Sequence, residues 1–174
     1  MKKFCTLVVG LIMAATTLYG ANYKHSIGIV AGSGIGAQYK VMVLPNFTII
    51  DEFGYLGSLC AAGKDFNMAT LGAIDNLVLA YQATAAEGQG LQLDWFIGGQ
   101  LKAGYLASSG GFSSGLIGLG AAAGIDVSVL NAPIAFSFDF RPGYGCMLSS
   151  GWGSSVAASH LFDWTLNLAV RYTF

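Results

Sequence analysis

Apolar and polar side chains alternate without a break in the last twelve residues, DWTLNLAVRYTF (163–174). Successive side chains of a β-strand point to opposite faces, so this period of two predicts a strand with one strongly apolar face. Its apolar face carries Trp164, Leu166, Leu168, Val170, Tyr172 and Phe174. Strands of soluble proteins usually run about five or six residues. The length and the one-sided apolarity together limit the chain to folds in which long strands expose an apolar face to their surroundings.

The composition indicates what those surroundings are. Hydrophobic residues make up 54% of the chain and charged residues 10%, against about 25% charged in soluble proteins. Beyond residue 21, however, no stretch of about 18 apolar residues could form a transmembrane helix. The closed β-barrel is the other architecture that satisfies every backbone group in lipid. A net charge of −1 gives no indication of a nucleic-acid partner.

The first residues, MKKFCTLVVGLIMAATTLYGA (1–21), have the layout of a secretory signal peptide. Lys2 and Lys3 precede an apolar stretch, and small residues follow at Gly20 and Ala21. The alternative is a single anchoring helix, but the apolar stretch is shorter than the roughly 20 residues that span a bilayer. We therefore predict export through the Sec route, cleavage near Ala21 and one mature domain over 22–174.

The period of two recurs along the mature chain and predicts eight strands, the even number that single-chain bacterial barrels have. Asp75 interrupts the apolar face of the fourth strand, which predicts that its upper end belongs to the rim or a loop. Pro142 cannot donate to a ladder and predicts a bulge or the end of regular pairing. The predicted strands are 24–33, 35–44, 49–61, 68–84, 91–106, 115–130, 133–145 and 163–174. The predicted fold is an all-β, eight-stranded, antiparallel, up-and-down transmembrane barrel, and the alternative is a soluble secreted β-sandwich.

The connections and the aromatic residues fit a barrel that crosses a membrane. Short inner turns are predicted at 45–48, 85–90 and 131–133, and outer connections at 33–34, 61–67, 108–114 and 147–160. The first outer connection is very short, but the other three are longer and rich in Gly and Ser, as expected of outer loops. Aromatic girdles mark the two interfaces of such barrels. The predicted girdle residues are Trp95, Tyr105, Trp164 and Tyr172.

The final strand resembles the C-terminal sorting signal of outer-membrane β-barrels, in which the last strand alternates and ends in an aromatic residue. The matching positions are Leu168, Val170, Tyr172 and Phe174. The mature chain resembles the small eight-stranded OmpX/OmpA-like barrels, and FDFRPGY (138–144) with the RYTF ending is similar to small barrels of Bacteroides-type bacteria. The resemblance implies location in the bacterial outer membrane, contact with its lipid, and recognition by the barrel-assembly machinery. It names no extracellular partner.

The inward faces of the predicted strands carry charges of both signs. They are Lys40, Lys102, Arg141 and Arg171 against Glu52, Asp94, Asp126 and Asp139. Four positive and four negative groups make the lumen formally neutral, and Arg171 is predicted to bridge carboxylates of neighbouring strands. An eight-stranded barrel is only wide enough for its side chains to fill it. We therefore predict a plugged barrel with a structural or surface-interaction role, the alternative being a narrow channel for small solutes.

An enzyme is the third hypothesis and has the least support. Outer-membrane deacylases use Ser, His and an acidic residue, so KHSI (24–27) and ASHLFD (158–163) are the candidates. His25 and Ser26 would point to opposite faces of a strand, and Ser159 and His160 fall in a predicted loop. The sequence has no His, Cys and carboxylate cluster with metal-ligand spacing, and no cofactor is predicted. Cys60 and Cys146 lie near the outer rim, where pairing would need the loops to fold over the mouth; otherwise they are small apolar fillers.

Overall fold

The alternating segments form eight β-strands, each antiparallel to its neighbours, in a computed structural model of the chain. The structure describes residues 23–32, 34–55, 70–108, 113–150 and 157–174, so the predicted signal peptide and Cys60 lie outside the described residues. The strands are β1 (His25–Ala31), β2 (Ile35–Leu44), β3 (Phe47–Tyr55), β4 (Thr70–Gly88), β5 (Leu91–Ser108), β6 (Ser113–Val129), β7 (Ile134–Ser150) and β8 (Ala157–Thr173). β8 pairs with β1 and closes the ring, as predicted. Within the described ranges, no helix is long and apolar enough to cross a membrane.

The pairing register fixes the tilt of the strands. Arg171 of β8 pairs with Gly28 of β1, and the row of paired residues continues through every strand to Gly145 of β7. Gly145 pairs with Leu161, so the row returns to β8 ten residues before its start. Such a stagger requires strands tilted by roughly 35–45° to the barrel axis. Because of this tilt, two residues at the same depth on opposite sides of the lumen do not belong to the same row of paired residues.

The barrel is polar inside and apolar outside. Arg171 has 1% of its surface exposed, whereas Leu168, three residues away on the opposite face, has 61% exposed. The buried residues of β1–β8 are mostly polar or charged, with one small apolar cluster of Ile50, Val78, Ala80, Phe96 and Ala122. A water-soluble protein has the reverse arrangement, because burial of apolar surface stabilises it.

The turn between β4 and β5 is shorter than the predicted 85–90. β4 continues to Gly88, past a β-bulge between Thr84 and Ala86, and only Gln89 and Gly90 remain in the turn. Both have positive φ, 52° and 83° respectively, as a two-residue hairpin turn of type I′ requires. Small residues with weak strand propensity led to the wrong prediction. Pairing with β5 overrides that propensity.

The outer ends of β7 and β8 also extend further than predicted. β7 runs to Ser150 and β8 begins at Ala157, so much of the predicted loop 147–160 is strand. His160, predicted in that loop, pairs with Cys146. Asp75 lies well inside β4 and not at a rim, because β4 pairs with β5 for five residues beyond it. In each case backbone pairing with a neighbour extends a segment whose composition favours a loop.

Pro142 interrupts one ladder only. Between Gly120–Gly143 and Ala123–Phe140, two residue pairs of the β6–β7 ladder are missing, while the register is the same on both sides. Pro142 still lies opposite Trp164 in the β7–β8 ladder. The missing donor therefore costs local pairing, as predicted, without inserting an extra residue.

Candidate functional site

The lumen contains all eight charged residues that the alternation assigns to the inward face. Each has 5% or less of its surface exposed: Lys40, Glu52, Asp94, Lys102, Asp126, Asp139, Arg141 and Arg171. Asp163, which was not assigned to this set, also points inward and pairs with Lys102 at 2.5 Å. The described lumen thus has five carboxylates and four cationic groups. The prediction of four positive and four negative groups omitted Asp163, so the described part of the lumen has one more carboxylate than expected.

Arg141 is at the centre of the first cluster. Its guanidinium donates to both carboxylate oxygens of Glu52, each at 2.6 Å, and to both of Asp139, at 2.6 and 2.9 Å. Glu52 lies on β3, across the lumen, whereas Asp139 is two residues away on the same face of β7. Asn167 of β8 donates a further bond to Asp139 at 2.8 Å. Paired bonds from one guanidinium to two carboxylates are among the strongest polar contacts in proteins.

Arg171 and Lys40 share Asp126 in the second cluster. Arg171 Nη2 lies 2.6 Å from one carboxylate oxygen of Asp126, and Lys40 Nζ donates to the other. Tyr23, just before β1, donates its hydroxyl to Asp126 at 2.6 Å, so the N-terminal end of the described chain closes over this cluster. Arg171 Nη1 also donates to Ser137 Oγ at 2.8 Å.

Gln38 joins the two clusters into one network. Its carbonyl oxygen accepts from Arg171 Nη1 at 2.5 Å, and its amide group donates to Glu52. Arg171 was predicted to bridge carboxylates of neighbouring strands, but it contacts Asp126 alone among them. Asp139 is bound by Arg141 instead, because the two residues lie on the same face of β7, two positions apart. The network spans the lumen from β2 and β3 to β6, β7 and β8.

Amide side chains complete the polar interior on both sides of this network. Towards the outer end, Gln100 donates to Asn76 at 2.9 Å. Towards the inner end, where the turns 45–46, 89–90 and 130–133 lie, Gln82 and Gln92 donate to Asp94. The predicted lumenal network included charged residues only and therefore left these amides out. The alternation places these amides on the inward face, and this position was the signal that could have identified them. Tyr23 precedes β1, so the alternation gave no such signal for it.

The structure does not bring the proposed hydrolase residues together. His25 faces outward, with Nδ1 2.8 Å from Tyr39 Oη, while Ser26 is buried in the lumen. His160 stacks on Tyr144 outside the barrel, whereas Asp163 points inward to Lys102. Among the described residues, no group of three or more His, Cys, Asp or Glu is placed to hold a metal ion. Cys146 faces outward, with its thiol free.

Outward aromatic residues form belts near both ends of the barrel. Trp95, Tyr105, Trp164 and Tyr172, the predicted girdle, all lie on the outward face. Near the inner end, ring contacts at about 6 Å link Tyr172, Phe174, His25 and Tyr39, and likewise Phe47, Tyr81 and Trp95. His25, considered for catalysis in the sequence, is a member of this belt.

The residues of the predicted assembly signal form part of the seam between β8 and β1. Leu168, Val170, Tyr172 and Phe174 face outward, and each has more than half of its surface exposed. Phe174 and His25 exchange two backbone hydrogen bonds, at 2.9 and 3.0 Å. Gly28 allows close approach at this seam, since a Cβ there would lie 1.9 Å from the Val170 carbonyl oxygen. The seam is thus held by continuous pairing along β1.

Comparison with known proteins supports the fold. No protein-family model and no curated protein matches the sequence. Among solved structures, the chain is similar to a major outer membrane protein from Thermus thermophilus, with a TM-score of 0.54 and 13% identity. The match covers 88% of this chain and 100% of that one. At this identity the likeness concerns the fold, and at that level the predicted resemblance to outer-membrane barrels is confirmed.

Proposed function

We propose that the protein is an integral barrel of the bacterial outer membrane, with a structural or surface-interaction role and a plugged lumen. The observation that carries the proposal is the exposed apolar wall around a charged interior. Ile29, Phe53, Ile117 and Leu168 each have more than 60% of their surface exposed. Water would make such a wall unstable, whereas lipid would cover it. Export through the predicted signal peptide at 1–21 belongs to the same proposal.

The plugged lumen rests on the network around Arg141 and Arg171. Side chains from opposite walls meet there, since Glu52 of β3 contacts Arg141 of β7 and Lys40 of β2 contacts Asp126 of β6. Selective pores for ions are lined by charges of one sign or by carbonyl rings. Here positive and negative side chains neutralise each other across the width of the barrel, which favours a closed lumen over a conducting path.

Gel mobility and conductance test this proposal together. The purified protein should migrate faster before boiling than after it, because a folded barrel resists denaturation by detergent at room temperature. In planar bilayers it should give no stable single-channel conductance under conditions in which an open porin conducts. A heat shift with a steady conductance would keep the membrane barrel and establish the narrow channel; no shift and extraction by salt washes would contradict the barrel itself.

Phe174 is expected to contribute to assembly beyond its contact with lipid. We propose that the C-terminal strand is recognised by the barrel-assembly machinery, since its terminal aromatic residue closes the seam with His25. Phe174→Ala should reduce the amount of folded protein in the outer membrane far more than Phe138→Ala, which removes an outward phenylalanine elsewhere. Immunoblots of membrane fractions, with unboiled samples, measure this. Equal membrane levels for Phe174→Ala and the wild type would contradict the proposal.

A further inference from the structure

Asp94 is the one lumenal carboxylate, among the described residues, without a cationic partner. It is fully buried on β5. Gln82 donates to one of its oxygens at 2.8 Å, and Gln92 donates to the other at 2.8 Å. Lys40, the cation that interacts with it electrostatically, has its ammonium group bonded to Asp126. Two neutral amides solvate the Asp94 carboxylate but do not cancel its charge.

The charges of the remaining lumenal groups cancel one another. The cluster of Lys40, Asp126 and Arg171 has one excess positive charge, and the cluster of Arg141, Glu52 and Asp139 has one excess negative charge. Gln38 joins these clusters. Lys102 and Asp163 neutralise each other. The net charge of the described lumen is therefore −1, and Asp94 is its one carboxylate outside an ion pair.

Oxygen atoms near Asp94 are unpaired. The side-chain carbonyl oxygens of Gln82 and Gln92 and the hydroxyl of Ser128 are fully buried and have no hydrogen-bond partner among the described residues. Gln92 lies directly opposite Ser128 in the β5–β6 ladder, and both glutamines are already bonded to Asp94 through their amide nitrogens. A buried polar atom without a hydrogen-bond partner destabilises the folded protein. All three atoms are oxygens, and they belong to residues that either donate to Asp94 or pair with one that does.

One residue of this group, Ser128, borders a cavity at the inner end of the barrel. An open cavity of about 630 Å³ lies at the β6–β7 turn and is lined by Ser128, Tyr23, Thr173 and residues 129–133. Ser128 is thus shared by the cavity and by the group of unpaired oxygens.

We propose that the lumen binds one monovalent hard cation of the sodium class at Asp94, with Ser128 and, after rotation of their amide groups, Gln82 and Gln92 as further ligands. Carboxylate, amide carbonyl and hydroxyl oxygens are the donors that hard cations prefer. One positive charge makes the lumen neutral, whereas a divalent ion would leave an excess positive charge. The ion has a structural role: it compensates a buried charge at the inner end of the barrel.

Heat-induced unfolding of the full mature chain in detergent tests the site. The midpoint of the gel-mobility transition should rise by several degrees with increasing NaCl and then saturate, compared with choline chloride at equal ionic strength. Choline is too large for a buried site, so it controls for screening. An equal rise with choline would overturn the proposal, and a rise with CaCl₂ but not with NaCl would overturn the monovalent assignment.

Asp94→Asn removes the charge with little change in shape and should abolish the difference between sodium and choline. Asp51→Asn, which removes an exposed carboxylate from the outward face of β3, is the matched control and should retain it. Retention of the sodium effect in Asp94→Asn would place the ion elsewhere and overturn the proposal. If Asp94→Asn does not fold, ²³Na line broadening of the wild-type protein decides: saturable broadening above that of empty micelles supports the site, and its absence overturns it.

Discussion

Replacing Arg141 with methionine should lower the free energy of unfolding by about 3–5 kcal/mol, because the change leaves two buried carboxylates without their cation. Glu52 and Asp139 together accept four hydrogen bonds from Arg141. Methionine fills most of the volume of the side chain, so the loss reports on charge and hydrogen bonding more than on packing. Urea unfolding of the protein in lipid vesicles, followed by tryptophan fluorescence, measures it.

Two further variants make this result specific. Lys24→Met removes an exposed cation next to β1 and should change stability by well under about 1 kcal/mol. Adding Glu52→Gln to Arg141→Met should restore part of the lost stability, since it removes one of the stranded charges. A loss below about 1 kcal/mol for Arg141→Met would mean that water solvates the carboxylates, and that the lumen is not a dry plug.

Replacing Leu168 with lysine should cost about 2–4 kcal/mol, the effect expected of a cation on the lipid face near the middle of a bilayer. Leu168 faces outward on β8, four residues from Tyr172 and four from Trp164, the two belt residues on that strand. The cost arises because the lysine ammonium group would lose its water of hydration in the hydrocarbon of the membrane. Unfolding from vesicles measures the cost.

Trp164→Lys provides the positional control, since a lysine in the outer belt reaches the interface and should cost roughly 0–1 kcal/mol. Leu168→Ala controls for the loss of apolar contact with lipid. Equal costs for lysine at positions 164 and 168 would contradict a membrane that spans the region between the two belts.

The strands and their faces could be predicted from the sequence, because alternation is a local property. Phe136, Phe138 and Phe140 alternate with Ser137 and Asp139, so the orientation of β7 follows from its own residues. Strand ends were less predictable. Residues 86–88 and 147–150 have loop-like compositions, but they pair with neighbours whose positions only the whole barrel determines.

The network partners could not be predicted for a related reason. The alternation showed that Arg141 and Glu52 face inward, but they lie 89 residues apart in sequence and on strands that do not pair. Whether they meet depends on strand tilt, which follows from the sum of all registers around the barrel. Asp139 is different, since it is two residues from Arg141 on the same face. That contact was open to prediction from alternation alone.

The seam between β1 and β8 has a consequence for the order of folding. It joins the first and last strands, so its contacts have the largest sequence separation in the barrel. Contacts of this kind slow folding, because the intervening chain must be ordered before they form. Until β8 arrives, β1 and the most recently formed strand both present unpaired backbone groups, and such edges favour aggregation. We expect a chain lacking β8 to accumulate as an aggregation-prone sheet and to depend on chaperones that cover open edges.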